Sequence, residues 1–272
     1  MFPEAVPQAL AKMAWLRPHF VTDDGLLAMS IHALLVETAG LRLVVDTCVG
    51  NDKIRSLPNL HMLSTGFLES LGSIGWGRDS VDGVLCTHLH VDHAGWNTML
   101  VDGRWTPTFP NARYYFGRKE YEFWMSDVSG QAGHDGIPAD VSHVLDGAAL
   151  FNDSVKPVVD AGLVTLVEMD AGIAPGVRLM PTPGHTPGHV SVCLESKGER
   201  AIITGDTFHH PCQIGRPGWA SLFDHSPAGA SETRLVLLRQ LADSEVLVIG
   251  THFVSPTAGR VVRDGDDFSF RV

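Results

Sequence analysis

Cysteine is scarce in this 272-residue chain: Cys48, Cys86, Cys193 and Cys212 lie far apart, and none belongs to a CxxC pair. That excludes a disulfide-stapled small fold and argues against a thiolate zinc cage. Positive charge is also short, with 20 Lys and Arg against 31 Asp and Glu and a formal net charge of −11. A nucleic-acid partner, whose affinity rests on cationic contacts to phosphate, does not suit that balance. No apolar run approaches the roughly 18–20 residues that cross a bilayer, so no membrane partner is expected. The opening segment MFPEAVPQALAKMAWLRPHF lacks the continuous apolar core of a secretory signal. These absences together read as a cytoplasmic, reduced protein. With 44% apolar and 19% charged residues the chain can bury a sizeable core. A single domain over residues 1–272 is expected, with residues 1–25 as an arm in which Pro3, Pro7 and Pro18 limit regular structure.

Hydrophobic patterning supplies the elements. Residues 26–40 and 41–50 are two β-rich runs meeting at Ala39-Gly40, the pattern of a hairpin. Phe67, Leu68, Leu71 and Ile74 have helical spacing. Buried strands are expected at 81–88 and 246–252, strands with tight turns at 177–184, 190–196 and 200–206, a short strand at 109–117, and a closing hairpin at 259–270. A helix starts at 118–126, and 142–162 reads as one helix plus a loop. The clearest helix is 231–244, capped by Ser231 with Leu235, Leu238 and Leu241 on one face. Two β-sheets facing each other with helices outside is the simplest packing, although periodicity alone also accommodates a doubly wound sheet.

What the chain has in abundance is histidine, 14 in all. The segment THLHVDHAG (87–95) puts His88, His90, Asp92 and His93 within six residues. His88 and His90, two apart at a strand end, project to the same side. The following turn can bring Asp92 and His93 round to the other side of a shared point, as a pair of metal ions about 3.5–4 Å apart requires. Four such donors would be costly to crowd together without a cation. Imidazole and carboxylate suit zinc, iron, manganese or cobalt. Three further candidates stand at strand ends: His185 in TPGHTPGH, Asp206 in TGD and His252 in GTH. A lone histidine is ordinarily a surface or satisfied core residue, so these three carry weight as a set. His189 reads as structural.

This constellation resembles the metallo-β-lactamase-fold hydrolase superfamily, over roughly residues 28–270. Asp46 in VVDT (44–47) matches its structural aspartate behind the metal loop. The resemblance implies a four-layer αββα sandwich with two mixed β-sheets face to face and helices outside. It implies that His88, His90 and His185 hold one metal, Asp92, His93 and His252 the other, and that Asp206 bridges both. Departures narrow the branch. True β-lactamases of this fold carry cysteine or serine where Asp206 stands, flavodiiron relatives an acidic residue at the His90 position, RNA-processing relatives basic exosites, and glyoxalase-II-type enzymes a C-terminal helical domain. FPNARYYFGRKEYEFW (109–124) is similar to a stretch of methyl-parathion-hydrolase-type enzymes. Homoserine-lactone lactonases have tyrosine three residues after the bridging aspartate, where this chain has His209. The lactonase and parathion-hydrolase branch remains, and its likeness implies a homodimer.

The resemblance implies a dinuclear hydrolase, with zinc foremost and manganese, cobalt or iron as alternatives. A metal-bridging hydroxide would attack a lactone or other carboxylic ester, a small-molecule substrate. Asp92 would take and return the proton, and His209 would hydrogen-bond the substrate oxygen or protonate the leaving group. Phe116, Trp124, Phe208, Trp219 and Phe223 are candidates to line the pocket, with residues 215–227 as a lid or a structural loop. Organophosphate triester hydrolysis is the alternative, and a mononuclear iron oxidoreductase of the persulfide dioxygenase kind a more distant one.

Overall fold

The computed structural model describes residues 1–128 and 145–272. They divide into two compact units, one of residues 31–128 and 145–168, the other of residues 1–30 and 169–272.

The first unit opens with the expected hairpin. Strands β1 (Leu34–Thr38) and β2 (Leu41–Val45) pair antiparallel across Ala39 and Gly40, both at positive φ, 48° and 79°. Such a two-residue turn matches the right-handed twist of its strands. Helix Phe67–Ser73 carries the chain over to β3 (Gly83–Leu85), parallel to β2. A separate hairpin follows, β4 (Thr98–Val101) and β5 (Arg104–Pro107), turning at Asp102-Gly103. Then β6 (Arg113–Gly117) and β7 (Val164–Val167) complete a mixed sheet in the order β1-β2-β3-β6-β7. Parallel neighbours need long crossovers. Between β6 and β7 this one contains helix Arg118–Val128, then helix Gly147–Leu150, which runs through a π turn (Phe151–Val155) into helix Lys156–Asp160. The described part of 142–162 is thus one interrupted helix, and residues 142–144 lie outside the described residues.

The second unit holds a seven-stranded mixed sheet of β8 (Gly172–Ala174), β9 (Val177–Pro181), β10 (Val190–Ser196), β11 (Glu199–Ile203), β12 (Leu247–Ile249), β13 (Ala258–Asp264) and β14 (Asp267–Arg271), neighbours in sequence order. Only β11 and β12 pair in parallel, and helix Pro227–Leu241 makes that crossover. The helix starts at Ser226, whose hydroxyl accepts from the Gly229 N–H at 3.2 Å with Pro227 in the first turn. The expected cap, Ser231, is inside the helix and donates back to the Pro227 carbonyl. Proline lacks the N–H that a first turn leaves unpaired, so Pro227 sets the start. Leu237, Leu238, Leu241 and also Arg234 are buried.

Residues 1–25, expected as an arm, are built into this unit's core. Phe2, Leu10, Met13, Leu16 and Phe20 are buried with Phe208, Ile214, Leu238, Phe253, Phe268 and Phe270. Helix Pro7–Leu10 has proline in its first turn, so the prolines there shorten structure without freeing the chain. Among the described residues no helix is long and apolar enough to cross a membrane.

Candidate metal centre

In the first unit the chain leaves β3 at Leu85 and is held as a loop from both flanks. The Leu85 and His93 carbonyls accept from the N–H groups of Asp46 and Thr47 at 2.9 and 2.7 Å, and the Gly95 N–H donates to the Cys48 carbonyl at 2.8 Å. Only glycine fits at 95, because a Cβ there would lie 1.8 Å from the Val49 oxygen. Asp46, at φ 56°, turns its buried carboxylate to accept from the Thr87 N–H and hydroxyl at 2.8 and 2.9 Å, and lies 2.8 Å from His93 Nδ1. With its own proton on Asp46, the Thr87 hydroxyl accepts from His88 Nδ1 at 3.1 Å. Both imidazoles therefore carry their proton on Nδ1 and present a lone pair at Nε2. His88 Nε2 comes within 3.0 Å of His90 Nδ1, and His93 Nε2 within 3.7 Å of Asp92 Oδ1. Glu120 braces the loop by accepting from the Leu89 N–H at 2.9 Å and the Trp124 indole at 2.7 Å. Trp124 in turn packs edge-on to His90, centroids 5.4 Å apart.

The second unit builds its donors around Asp206, in a 3-10 turn (Gly205–Thr207) just after β11. The Asp206 N–H donates to His189 Nε2 at 2.9 Å, while His189 Nδ1 lies 3.0 Å from the Thr182 carbonyl. His189 is thus a brace with both nitrogens used. His185 Nδ1 lies 2.9 Å from Asp224 Oδ1, and Asp224 faces Arg234 at 3.4 Å. Burial alone would raise the Asp224 pKa, but the hydrogen bond from His185, with the nearby Arg234 charge, holds it below the usual carboxylate range. His252 Nδ1 lies 2.8 Å from the Ser30 carbonyl. A carboxylate and a carbonyl only accept, so His185 and His252 also carry their proton on Nδ1.

Their Nε2 lone pairs then face a third acceptor. His185 Nε2 is 3.3 Å from Asp206 Oδ2, and His252 Nε2 is 3.1 Å from Asp206 Oδ1. Buried acceptors facing one another need a proton or a metal cation between them. The distances are compatible with the second. With metal–ligand bonds of about 2.0–2.1 Å, neighbouring donor atoms stand roughly 2.9 Å apart in an octahedral shell and roughly 3.4 Å apart in a tetrahedral one. The donor chemistry and spacing fit a divalent cation of the zinc kind.

His209 differs from the other histidines. Its Nε2 is 3.2 Å from Asp206 Oδ2 but out of line for a hydrogen bond, and neither ring nitrogen has a hydrogen-bond partner among the described residues. Burial lowers its pKa against the opposing pull of Asp206. The adjacent His210 is pinned, donating from Nε2 to the Phe20 carbonyl at 2.8 Å and accepting at Nδ1 from the Cys212 N–H at 3.0 Å. Burial pushes its pKa down to about 4.

Of the residues singled out from sequence, His88, His90, Asp92 and His93 are neighbours within one unit, and His185, Asp206, His209 and His252 within the other. Phe116 and Phe208 are wholly buried, Trp124 nearly so beside His90, and Trp219 and Phe223 half-buried. Sequence reasoning missed Thr87, Glu120, Asp224, Arg234 and Ser30, which orient the donors. Glu120 and Trp124 are four apart on one helix, a local signal that was there to read. Asp224 and Ser30 carry none.

The metallo-beta-lactamase superfamily model matches residues 27–252. A probable metallo-hydrolase of Mycobacterium tuberculosis is 24% identical over 259 residues, covering 88% of this chain and 78% of that protein. An N-acyl homoserine lactonase of a Bacillus species is 26% identical over 198 residues, covering 67% and 65%. Among solved structures, the hydrolase AbOPH of the β-lactamase superfamily superimposes with a TM-score of 0.80 at 27% identity, covering 100% of this chain and 89% of its own. AidC, a dizinc quorum-quenching lactonase in complex with a product, gives 0.74 at 22%, covering 89% and 79%.

Proposed function

This chain belongs to the metallo-β-lactamase superfamily and is a metallo-hydrolase of it, and from that premise we propose that it opens a lactone or other carboxylic ester at a pair of divalent cations, zinc foremost. In this reading His88, His90 and His185 would hold one cation, Asp92, His93 and His252 the other, and Asp206 would serve both. The observation that carries it is the Asp206 carboxylate faced by the lone pairs of His185 and His252 at 3.3 and 3.1 Å, each ring anchored at Nδ1 by an oxygen acceptor. Imidazoles tied in this way are typical metal ligands. The lactonase named among the relatives supports an ester substrate.

Bound divalent cations would lower the pKa of a shared water toward 7 and polarise the ester carbonyl. The protein's own groups supply the rest. Asp92, the least buried of the donors, takes the nucleophile's proton and returns it to the leaving oxygen. His209, with both ring nitrogens unsatisfied, hydrogen-bonds the substrate oxygen. Asp46, Asp224 and Ser30 keep the imidazoles in one tautomer. Trp124 beside His90, with the half-buried Trp219 and Phe223, supplies apolar surface for the acyl part, and Phe116 and Phe208 back it from the core. The four thiols are free, which suits the cytoplasm.

A panel of lactones, aryl esters and phosphotriesters, assayed on metal-quantified protein, tests this. About two zinc ions per chain and lactone or ester turnover lost in chelator are expected. Turnover of phosphotriesters alone would move the assignment to that class. One iron per chain with oxygen consumed on adding a persulfide would overturn it.

A further inference from the structure

Four of the five histidines in the two donor sets have their far nitrogen tied to an oxygen, and His209 stands apart from them. His88, His93, His185 and His252 each tie Nδ1 to a hydroxyl, carboxylate or carbonyl oxygen, and His90 turns Nδ1 toward His88. Among the described residues neither His209 nitrogen has a hydrogen-bond partner, although the residue is only 2% exposed. An imidazole buried with two unsatisfied polar atoms costs free energy unless a ligand completes it.

Its geometry indicates which ligand. His209 Nε2 stands 3.2 Å from Asp206 Oδ2, the same oxygen that His185 Nε2 approaches at 3.3 Å. The two rings meet edge to face with centroids 4.7 Å apart. Both spacings are those of donors on neighbouring corners of one coordination shell. Packing also sets the ring: Phe2 meets it edge-on at 5.8 Å, and His252 lies parallel to it at 5.9 Å.

We propose that His209 is an additional ligand, displaceable because it has no anchor at Nδ1, to the cation that Asp206 Oδ2 and His185 share. The proposal rests on the dinuclear reading above. An imidazole held through Nδ1 keeps its direction when the shell changes, whereas one packed against Phe2 and its neighbours without that tie can swing aside. The coordination position it vacates is then open to a substrate oxygen, with His209 still close enough to donate to that oxygen.

The test uses cobalt-substituted full-length protein and two variants, H209F, which keeps an aromatic ring in the slot, and H209A, which empties it. Visible absorption of the bound cobalt reads coordination number, and chelator competition reads affinity. Wild type should show the weaker absorption of the higher-coordinate ion. Both variants should shift to the more intense absorption of a lower-coordinate one, still bind two metals per chain, and lose about 10-fold in affinity at one of the sites. A homoserine-type hydrolysis product added to wild type should change its spectrum, and added to the variants should bind without the loss of a nitrogen ligand. Two metals per chain with spectra and affinities identical across wild type, H209F and H209A would overturn the role of His209 while leaving the dinuclear reading intact. Fewer than two metals in wild type would overturn that reading itself.

Discussion

Arg234 illustrates how far the support of a single imidazole extends. Fully buried on a helix that otherwise turns leucines inward, it faces Asp224 Oδ2 at 3.4 Å, and Asp224 Oδ1 receives His185 Nδ1 at 2.9 Å. The same carboxylate accepts the Ser221 N–H at 2.9 Å. One acid therefore fixes a tautomer, a loop and a buried cation. Replacing it with the neutral Asp224→Asn amide keeps the shape but leaves Arg234 without its counter-charge, a change that costs about 3–5 kcal/mol when a buried pair is broken. It also leaves Nδ1 facing an amide that can present either end. The expected outcome is a lower melting temperature together with about 10–100-fold weaker metal binding, read by calorimetry and by chelator competition on the same samples. Unchanged affinity would show that Asp224 serves the fold alone.

The elements that hold such residues are of two kinds. Some were legible: the runs at 41–45, 190–196 and 199–203 are apolar enough to be strands wherever they pack, and the hexapeptide 88–93 announces its chemistry by density. Others were not. The hairpin of β4 and β5 buries only Thr98 and is otherwise half-buried or exposed, and β7 is half-buried throughout, so neither shows the alternation of buried and exposed positions that marks a strand. Ser226 and Ser231 are equally good caps in isolation, and the choice falls to Pro227. Asp224 and Ser30 acquire meaning only from contacts with residues remote in sequence. The π turn at Phe151–Val155 is another such feature. Its Asp153 carbonyl accepts from Lys53 Nζ at 3.0 Å and from the Thr98 hydroxyl, while its carboxylate is bound twice by Arg55, at 2.7 and 3.0 Å. A π turn frees carbonyls that an α-helix would use. Lys53, wholly buried over the Trp105 ring at 3.7 Å, has its pKa pulled down to about 7 by burial, with Asp153 and Asp52 opposing and Arg55 assisting. The unfolded lysine titrates near 10.5, so between pH 7 and 10.5 the unfolded chain binds more protons and stability rises with pH. Below pH 7 the penalty of a buried charge is present in full. Relative to Lys53→Met, wild type should gain as pH rises from 7 to 9, by at most about 1.4 kcal/mol per pH unit. Parallel denaturation curves for the two proteins across that range would refute it, and Arg55 keeps Asp153 paired in the variant.

At the scale of the whole molecule, stability and activity should share one ligand. The proposed donors draw on residues 88–93 and on residues 185, 206 and 252, and each set by itself leaves buried lone pairs and carboxylates confronting one another. Without a cation that confrontation opposes folding, and with one it becomes binding free energy. A site that binds only the folded chain contributes about 2.7 kcal/mol when free metal exceeds its dissociation constant 100-fold. For a chain of this size each kcal/mol moves the melting temperature by about 2–4 °C. Stripping the metal with chelator should therefore lower the melting temperature by about 5–10 °C for each site emptied and abolish hydrolysis, and zinc titrated back should restore both. The two recoveries need not coincide. If only the doubly loaded protein turns over ester, activity should lag behind melting temperature until the second equivalent of zinc is bound. Full activity at one equivalent would mean that a single cation suffices and that the second set of donors serves structure.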